Sequence, residues 1–525
     1  MRTHDFVIVG SGINSLVCAA LLGKKGHKVC VLERNDRLGG CIRTEEITQP
    51  GFLHEVFSAV HPLVFASPWY PELAEELAEN GVEYCNNDKP TAVVLPNGRN
   101  VILKTDRQAN KATLDEVSAG DGEKYFGFMQ QLDQNAPLIF GLLGGQLWSF
   151  ATFKLLFGEA RRRGLLGLSK FVGEAMQTSR DWLETHFKSD LSHALMSPWI
   201  LHAGLGPESA VSGIMNQVMM YTLEQTGCPM VKGGNEKLVE ALVKIIEDNG
   251  GTCKIDSHVD QVIVENGQAT GVRMDSGMTE MARKGVICNT TPNQLFNGLL
   301  STNDVSEDIR TQAREFRFGR GMMIIHVAME EEPVWTDPAL KDVVMLHVSS
   351  GLDGVSKAVN EADRGLLPEQ PTIVVCQPVT IDPSRAPKGK WILWIQLQEI
   401  PRELKGDAKK EIETPDNGLW NEQVREQYAD RVIEQLSVSI TNLNSSMLER
   451  KVYGPADLEA MNVNLEGGDA YSGTCSIDQN LIWRPLRGTK NHQTPVKCLF
   501  QIGASTHPGP GLGGGSGFLV AQKVG

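Results

Sequence analysis

Residues Asp5 to Thr44, DFVIVGSGINSLVCAALLGKKGHKVCVLERNDRLGGCIRT, decide how the rest of the chain is read. Phe6 to Val9 is a short apolar run ending in Gly10-Ser11-Gly12, and Ile13 to Leu22 then carries apolar residues at helical spacing, which predicts strand, tight turn and helix. A second apolar run, Val29 to Leu32, ends in Glu33. Glycines at 10 and 12 let the backbone turn sharply and approach a pyrophosphate, whose charge is favoured by the free N–H groups and dipole of a helix start. A carboxylate at the end of the second strand is placed to accept hydrogen bonds from ribose hydroxyls and argues against a 2′-phosphate.

Taken alone, a GxGxxG-like turn is a weak signal, and here Ser15 replaces the third glycine, a side chain small enough to keep helix and strand close. The continuation Glu33-Arg34-Asn35-Asp36-Arg37-Leu38-Gly39-Gly40 strengthens it. Two glycines just past the ribose-binding acid suit a second close approach of backbone to phosphate, for which a nicotinamide-only domain has no need.

Working outward, a chain of 525 residues is long enough for two to four structural units. Its formal charge of -14 argues against nonspecific nucleic-acid binding, which needs a basic surface, and leaves small molecules as expected partners. Ten dispersed cysteines form no CxxC pair and no metal-ligand spacing with the twelve histidines, so no metal site is expected and a reducing, cytoplasmic compartment is. The chain starts almost directly with a strand, leaving no room for a signal peptide before it. Ala136 to Phe153 is uncharged but holds Pro137, three glycines and Gln146, a poor membrane span. Lys154 to Val172, with Arg161-Arg162-Arg163 beside Leu165, Leu166 and Phe171, suits either a helix covering a substrate cavity or peripheral contact with a bilayer surface.

Further along, Pro71 to Asn80 reads as a helix, Thr91 to Leu95 and Asn100 to Leu103 as a hairpin, and Asp115 to Thr226 as mainly helical. Strand character returns at Thr252 to Ile255, Val259 to Glu265, Ala269 to Met274 and Gly285 to Asn289, after the helix Asn235 to Asn249. A second insertion has strand candidates at Met322 to Met329, Val343 to Val348, Thr372 to Gln377 and Trp391 to Gln398, consistent with a mostly antiparallel sheet, then a long helix over Trp420 to Leu443. Cys498 to Ala504 is a last strand ending in Gly503, followed by a glycine-rich turn through Gly513 and Gly514 and a closing helix.

Three separated segments fit one family: GSGINSL…LERNDRLGG at the start, the Val259 strand with VICNTTP in the middle, and SIDQNLIWRP…LFQIGASTHPGPGLGGGSG at the end. Together they resemble the phytoene-desaturase-like branch of FAD-dependent oxidoreductases, which shares a glutathione-reductase-type FAD fold with amine oxidases. PGFLHEVFSAVHPL and the last segment are similar, within that branch, to the pyridine nucleotide-disulphide oxidoreductase domain-containing group. The resemblance implies an α/β fold: a discontinuous Rossmann-like FAD-binding domain (1–70, 227–295, 471–525), a mainly helical cap (71–226) and an inserted α+β substrate domain with an antiparallel sheet (296–470). It implies that Gly10, Gly12, Ile13, Asn14, Glu33, Arg34, Gly39 and Gly40 hold the AMP and pyrophosphate, that Val259 meets the adenine and Asn289 the pyrophosphate, and that Gly503, Gly513 and Gly514 line the ribityl chain and ring. Ser15 and Cys41 stand where the family usually has Gly and Arg. There is no CxxxxC and no second GxGxxG after a strand, which excludes a glutathione-reductase-like mechanism.

The activity this implies is dehydrogenation of a carbon–carbon bond in a hydrophobic or alicyclic small molecule, with hydride going to the flavin and O2 or a quinone as the final acceptor. His61 and His507 are the candidate catalytic groups near the ring, because their segments carry FAD-contacting motifs. Tyr221, His202 and Trp483 are weaker candidates for the cavity wall, and Met215, Met219 and Met220 are expected in the core. Two other functions fit the fold: oxidation of an amine C–N bond, and an FAD-binding assembly or membrane-surface protein with little turnover. Oligomeric state and the mode of flavin attachment are not set by these residues.

Overall fold

Phe6–Val9, Val29–Leu32 and Val286–Cys288 are apolar on both faces, and such runs form strands only where both faces are covered. The computed structural model, which describes residues 2–525, places them at the centre of a seven-stranded sheet. Five strands run parallel in the spatial order Leu499–Ile502, Thr279–Asn289, Arg2–Val9, Val29–Leu32 and Thr252–Lys254. Val259–Glu265 and Gln268–Met274 extend the sheet antiparallel along the first half of Thr279–Asn289. The helix Ile13–Lys24 is buried along almost its whole length because Glu236–Asp248 and Gly515–Val524 pack on either side of it. This explains why its sequence is apolar all round rather than along one stripe.

A second seven-stranded sheet has the order Met447–Tyr453, Gly321–Met329, Trp391–Ile400, Ile373–Cys376, Met345–Val348, Thr91–Val94 and Asn100–Leu103. All neighbours are antiparallel except Met345–Val348 with Thr91–Val94. The hairpin at 91–103 therefore belongs to this sheet and not to the helices that follow it, because its apolar strand Thr91–Val94, buried at every position, finds its cover there. The helix Glu422–Ser437 covers the far face through Val424, Tyr428, Val432 and Leu436. The strand Met447–Tyr453 and the helix Gly351–Asp363 are additions to the elements expected from the pattern.

The helices of residues 107–226 pack on the second sheet, against Thr91–Val94 and Asn100–Leu103. Their boundaries follow from capping: side chains of Asp106, Ser149, Thr178 and Ser189 each accept a first-turn N–H, of Ala109, Thr152, Asp181 and Leu191 respectively. A buried ion cluster ties the two sheet units. Arg385, fully buried, pairs with Glu55 and with Asp382 (2.7 Å) and donates to the Val231 carbonyl at 2.6 Å. Glu55 also accepts from the Asn235 N–H at 2.9 Å, so the start of a helix on one sheet and a turn of the other share one guanidinium.

Candidate cofactor and substrate site

Parallel strands deliver their carboxyl ends to one edge, and in open α/β sheets ligands bind there. Gly10 follows Val9, Glu33 follows Leu32, Asn289 ends its own strand and Gly503 follows Ile502. All four border a single cavity of ≈ 1460 Å³. Asn289 is the hub of this edge. Its Nδ2 donates to the Ser15 hydroxyl at 3.0 Å, which gives the serine in the third glycine position a task that no glycine could perform. A Cβ on Gly12 would stand 3.1 Å from that Nδ2, one on Gly10 3.3 Å from the Asn289 carbonyl, and one on Gly503 would overlap Asn289 Oδ1. The glycines are thus demanded by close approach as well as by conformation, with φ +85° at Gly10 and +106° at Gly503.

The helices Ile13–Lys24 and Gly515–Val524 begin without a side-chain bond from the residue before them; the Gly517 N–H goes to Asn14 Oδ1 at 3.4 Å, and the N–H groups at the very start of each helix are open to a ligand. The two helices are locked together: Asn14 Oδ1 accepts from the Ser516 hydroxyl at 2.8 Å, and that hydroxyl accepts the Gly503 N–H at 2.9 Å. Glu33 is held in place too. One carboxylate oxygen accepts the Ser11 N–H (2.9 Å) and hydroxyl (2.7 Å), the other the Asn35 N–H (2.9 Å), which leaves lone pairs for a ribose. Uncapped helix starts, crowded glycines and a pre-oriented carboxylate fit the pyrophosphate and ribose of FAD.

Of the residues expected to hold the cofactor, Gly10, Gly12, Ile13, Asn14, Glu33, Arg34, Gly40, Val259, Asn289, Gly503, Gly513 and Gly514 border the cavity. Gly39 sits one layer behind, bridged to Gly12 and donating its N–H to the Ser11 hydroxyl at 3.1 Å. His61 and His507 are placed differently from expectation: neither borders the cavity. The His61 ring is buried against Tyr84, and His507 Nε2 is bonded to the Gly145 carbonyl at 3.0 Å. Burial pushes both imidazoles down to about 4, so both are neutral. Tyr221 and Trp483 also lie off the cavity, whereas His202, Met215 and Met219 border it and Met220 is core.

Several lining residues carried no recognisable motif. Asn462 and Asn464, in the stretch after the helix Pro455–Met461, close the cofactor end: Asn462 donates to Cys41 Sγ at 3.3 Å and Asn464 to the Asn289 carbonyl at 3.0 Å. The other end is walled by Ile139 and Phe140 of one helix, by Met215 and Met219 of another, and by Met345 and Trp394 of the second sheet. Only the alternation of the strand Trp391–Ile400, which sends Trp394, Gln396 and Gln398 to one face, could have indicated this wall. Among the described residues no disulfide forms, and burial pushes the Cys18 and Cys288 thiols up to about 12. A thiol held protonated in this way is a poor nucleophile, so Cys18 and Cys288 serve as packing.

Fold and site together define a dinucleotide-binding oxidoreductase whose cofactor edge opens into an apolar chamber roofed by a second sheet. The chain belongs to the flavin containing amine oxidoreductase family, whose profile matches residues 16–509, and it is an FAD-dependent oxidoreductase. It is similar to pyridine nucleotide-disulfide oxidoreductase domain-containing protein 2 of Mus musculus (26% identity, 99% of this chain, 93% of that one). It is also similar to a limonene dehydrogenase polypeptide of Castellaniella defragrans (25% identity, 100% and 95%) and to a neurosporene-forming phytoene desaturase of Rhodobacter capsulatus (26%, 99% and 93%). A redesigned putrescine oxidase shares the fold, with a TM-score of 0.61 at 13% identity over 100% of this chain and 99% of the other.

Proposed function

We propose that the protein dehydrogenates a carbon–carbon bond of a hydrophobic small molecule, forming a C=C bond. One observation carries this reading. Every carboxylate and guanidinium bordering the cavity belongs to Glu33, Arg34 or Asp260, at the nucleotide end, while the substrate end is lined by apolar side chains and a few neutral polar ones. An ammonium substrate would enter that end without a counter-charge, at a large desolvation cost. Relatives named as limonene dehydrogenase and phytoene desaturase, matched over almost the full chain, support the same chemistry.

FAD, when bound, supplies the hydride acceptor. The chain's own part is to hold and to dry. Glu33 and Asn289 orient the cofactor edge, the two uncapped helix starts favour negative charge, and the wall of Met215, Met219 and Trp394 excludes water and presses the substrate into position.

The electrons leave to O2 or a quinone in this proposal, and the substrate arrives from a bilayer surface. The helical segment Phe150–Ala175, broken at Gly164 where φ is +69°, supports the second point. Phe150, Leu165 and Leu166 are 80%, 83% and 89% exposed, beside the exposed cations Lys154 and Arg161, while Phe171 and Met176 at its far end border the cavity. An apolar, cationic face on an otherwise acidic chain matches an anionic membrane surface. Among the described residues no helix is long and apolar enough to cross a membrane. The test of the catalytic reading is anaerobic mixing of the holoenzyme with cyclic and acyclic alkenes, and separately with amines. Bleaching of the oxidised-flavin band by alkenes is expected; bleaching by amines alone would overturn it.

A further inference from the structure

One patch of the chamber wall does not match a purely hydrocarbon occupant. The 3-10 helix Ser197–Ala203 presents Trp199 and His202 to the cavity. Behind them His347, on the strand Met345–Val348, is buried, and its Nε2 lies 3.0 Å from His202 Nε2. Trp199 stacks on the His202 ring (4.5 Å, 29°) and meets His347 edge-on (4.9 Å, 72°), so the three rings form one rigid block. The neighbouring Gln398 donates from Nε2 to the Tyr471 hydroxyl at 3.1 Å. That hydroxyl donates to the Leu201 carbonyl at 2.6 Å, which ties Gln398 to the same short helix.

Three polar atoms of this block have no partner among the described residues: Trp199 Nε1, His347 Nδ1 and Gln398 Oε1. Trp199 and Gln398 both border the cavity and are at least nine-tenths buried. Buried polar groups are almost always paired, and a cluster of unpaired ones bordering a ligand chamber marks a place where the ligand supplies the partner. The chemistry of that partner follows from the block. Both imidazoles are held neutral by burial, His202 at about 3 and His347 well below its ordinary value, and no carboxylate or cation borders the cavity here. A neutral His–His contact needs one ring to donate and the other to accept. The tautomer of His347 therefore decides whether His202 Nδ1 offers the chamber a donor or an acceptor, with no change of charge. Such a group can pair with a hydroxyl in either tautomer and with a carbonyl when it donates.

Building on the dehydrogenation reading above, we propose that the substrate is an apolar skeleton bearing one neutral oxygen function seated against this block: a hydroxyl, which can donate to Gln398 Oε1 and accept from Trp199 Nε1, or a ketone, which accepts from Trp199 Nε1 or from His202. The apolar wall takes the skeleton, and the oxygen fixes which carbons reach the reacting position. A hydrocarbon fills the same space but leaves Gln398 Oε1 and Trp199 Nε1 unpaired.

The test titrates the holoenzyme with matched compounds, following the perturbation of the flavin absorption band. Limonene is compared with its ring alcohol carveol and its ring ketone carvone, and farnesene with farnesol. The oxygenated member of at least one set is expected to bind about tenfold more tightly than its hydrocarbon, the worth of one or two neutral hydrogen bonds. His202→Phe and Gln398→Leu are each expected to shrink that difference toward unity, retention of the flavin spectrum showing that the variant is folded. Equal or tighter binding of the hydrocarbons in both sets, failure of every oxygenated compound to bind, or a preference that survives in both variants overturns the inference. Bleaching by hydrocarbons with no oxygen preference sinks this inference and leaves dehydrogenation standing. Preferential binding of oxygenated compounds with no bleaching by any compound does the reverse.

Discussion

Replacing Gly503 by alanine probes the cofactor edge most directly. At φ +106° a side chain is strained, and the new Cβ overlaps Asn289 Oδ1. Asn289 can turn aside only by giving up the bond from its Nδ2 to the Ser15 hydroxyl. The backbone strain costs about 1–3 kcal/mol and the broken hydrogen bond about 1 kcal/mol. If the free protein relaxes and FAD must restore the native edge, a total of about 2–4 kcal/mol weakens FAD binding roughly 30- to 700-fold. Fluorescence titration of apoprotein with FAD measures this, and urea unfolding of the same sample captures any part of the cost that appears as lost stability. Gly98→Ala is the control: Gly98 has φ +82° but nothing within 4 Å of an added Cβ, so it carries strain without obstruction and leaves the FAD Kd unchanged. In an Asn289→Ala background the obstacle is gone, and Gly503→Ala is expected to cost about 1 kcal/mol less than in the parent. Wild-type affinity in Gly503→Ala, or strict additivity with Asn289→Ala, refutes the reasoning.

Three other outcomes are expected. The Asp407 carboxylate, gripped by both terminal nitrogens of Arg431 at 2.7 and 2.6 Å, has its pKa lowered from 3.8 to about 2. A folded value below the unfolded one stabilises at pH above the unfolded value and loses that contribution as pH falls through the folded one. The stability gap between wild type and Asp407→Asn, measured by urea unfolding, therefore shrinks by about 1–2 kcal/mol from about pH 6 to about pH 2.5, and a pH-independent gap contradicts this. Leu165→Glu with Leu166→Glu should abolish co-sedimentation with anionic vesicles while shifting stability by less than about 0.5 kcal/mol per site, because both side chains are exposed. His61→Gln and His507→Gln should leave the pH profile of flavin reduction by substrate unchanged, since both rings are neutral and lie off the chamber; a displaced profile would return them to the reaction.

The cofactor half of the site was legible because its signals are local. Gly10, Glu33, Asn289 and Gly503 each sit at or just after a strand end that apolar periodicity reveals, and the parallel fold then converges them. The substrate half was not, because its parts meet only through tertiary packing. His202 and His347 are 145 positions apart and neither stands in a pattern. Asn462 follows a short helix with nothing to distinguish it from an ordinary loop asparagine. The hairpin at 91–103 was readable as a hairpin, but strand partners are chosen by register and cover, so its place in the second sheet was not. The motifs around His61 and His507 point to the ring, but it is their neighbours Val60, Pro62 and Pro508 that border the cavity and not the two histidines.

The bond between Asn14 and Ser516 spans 502 positions, and the strand that carries Asn289 gains its outer parallel neighbour only from Leu499–Ile502. A ribosome therefore releases the glycine turn at the beginning of the message long before the groups that clasp it exist. Loading with flavin must await nearly finished translation, and a product halted before residue 499 should emerge colourless however well its earlier portions have collapsed.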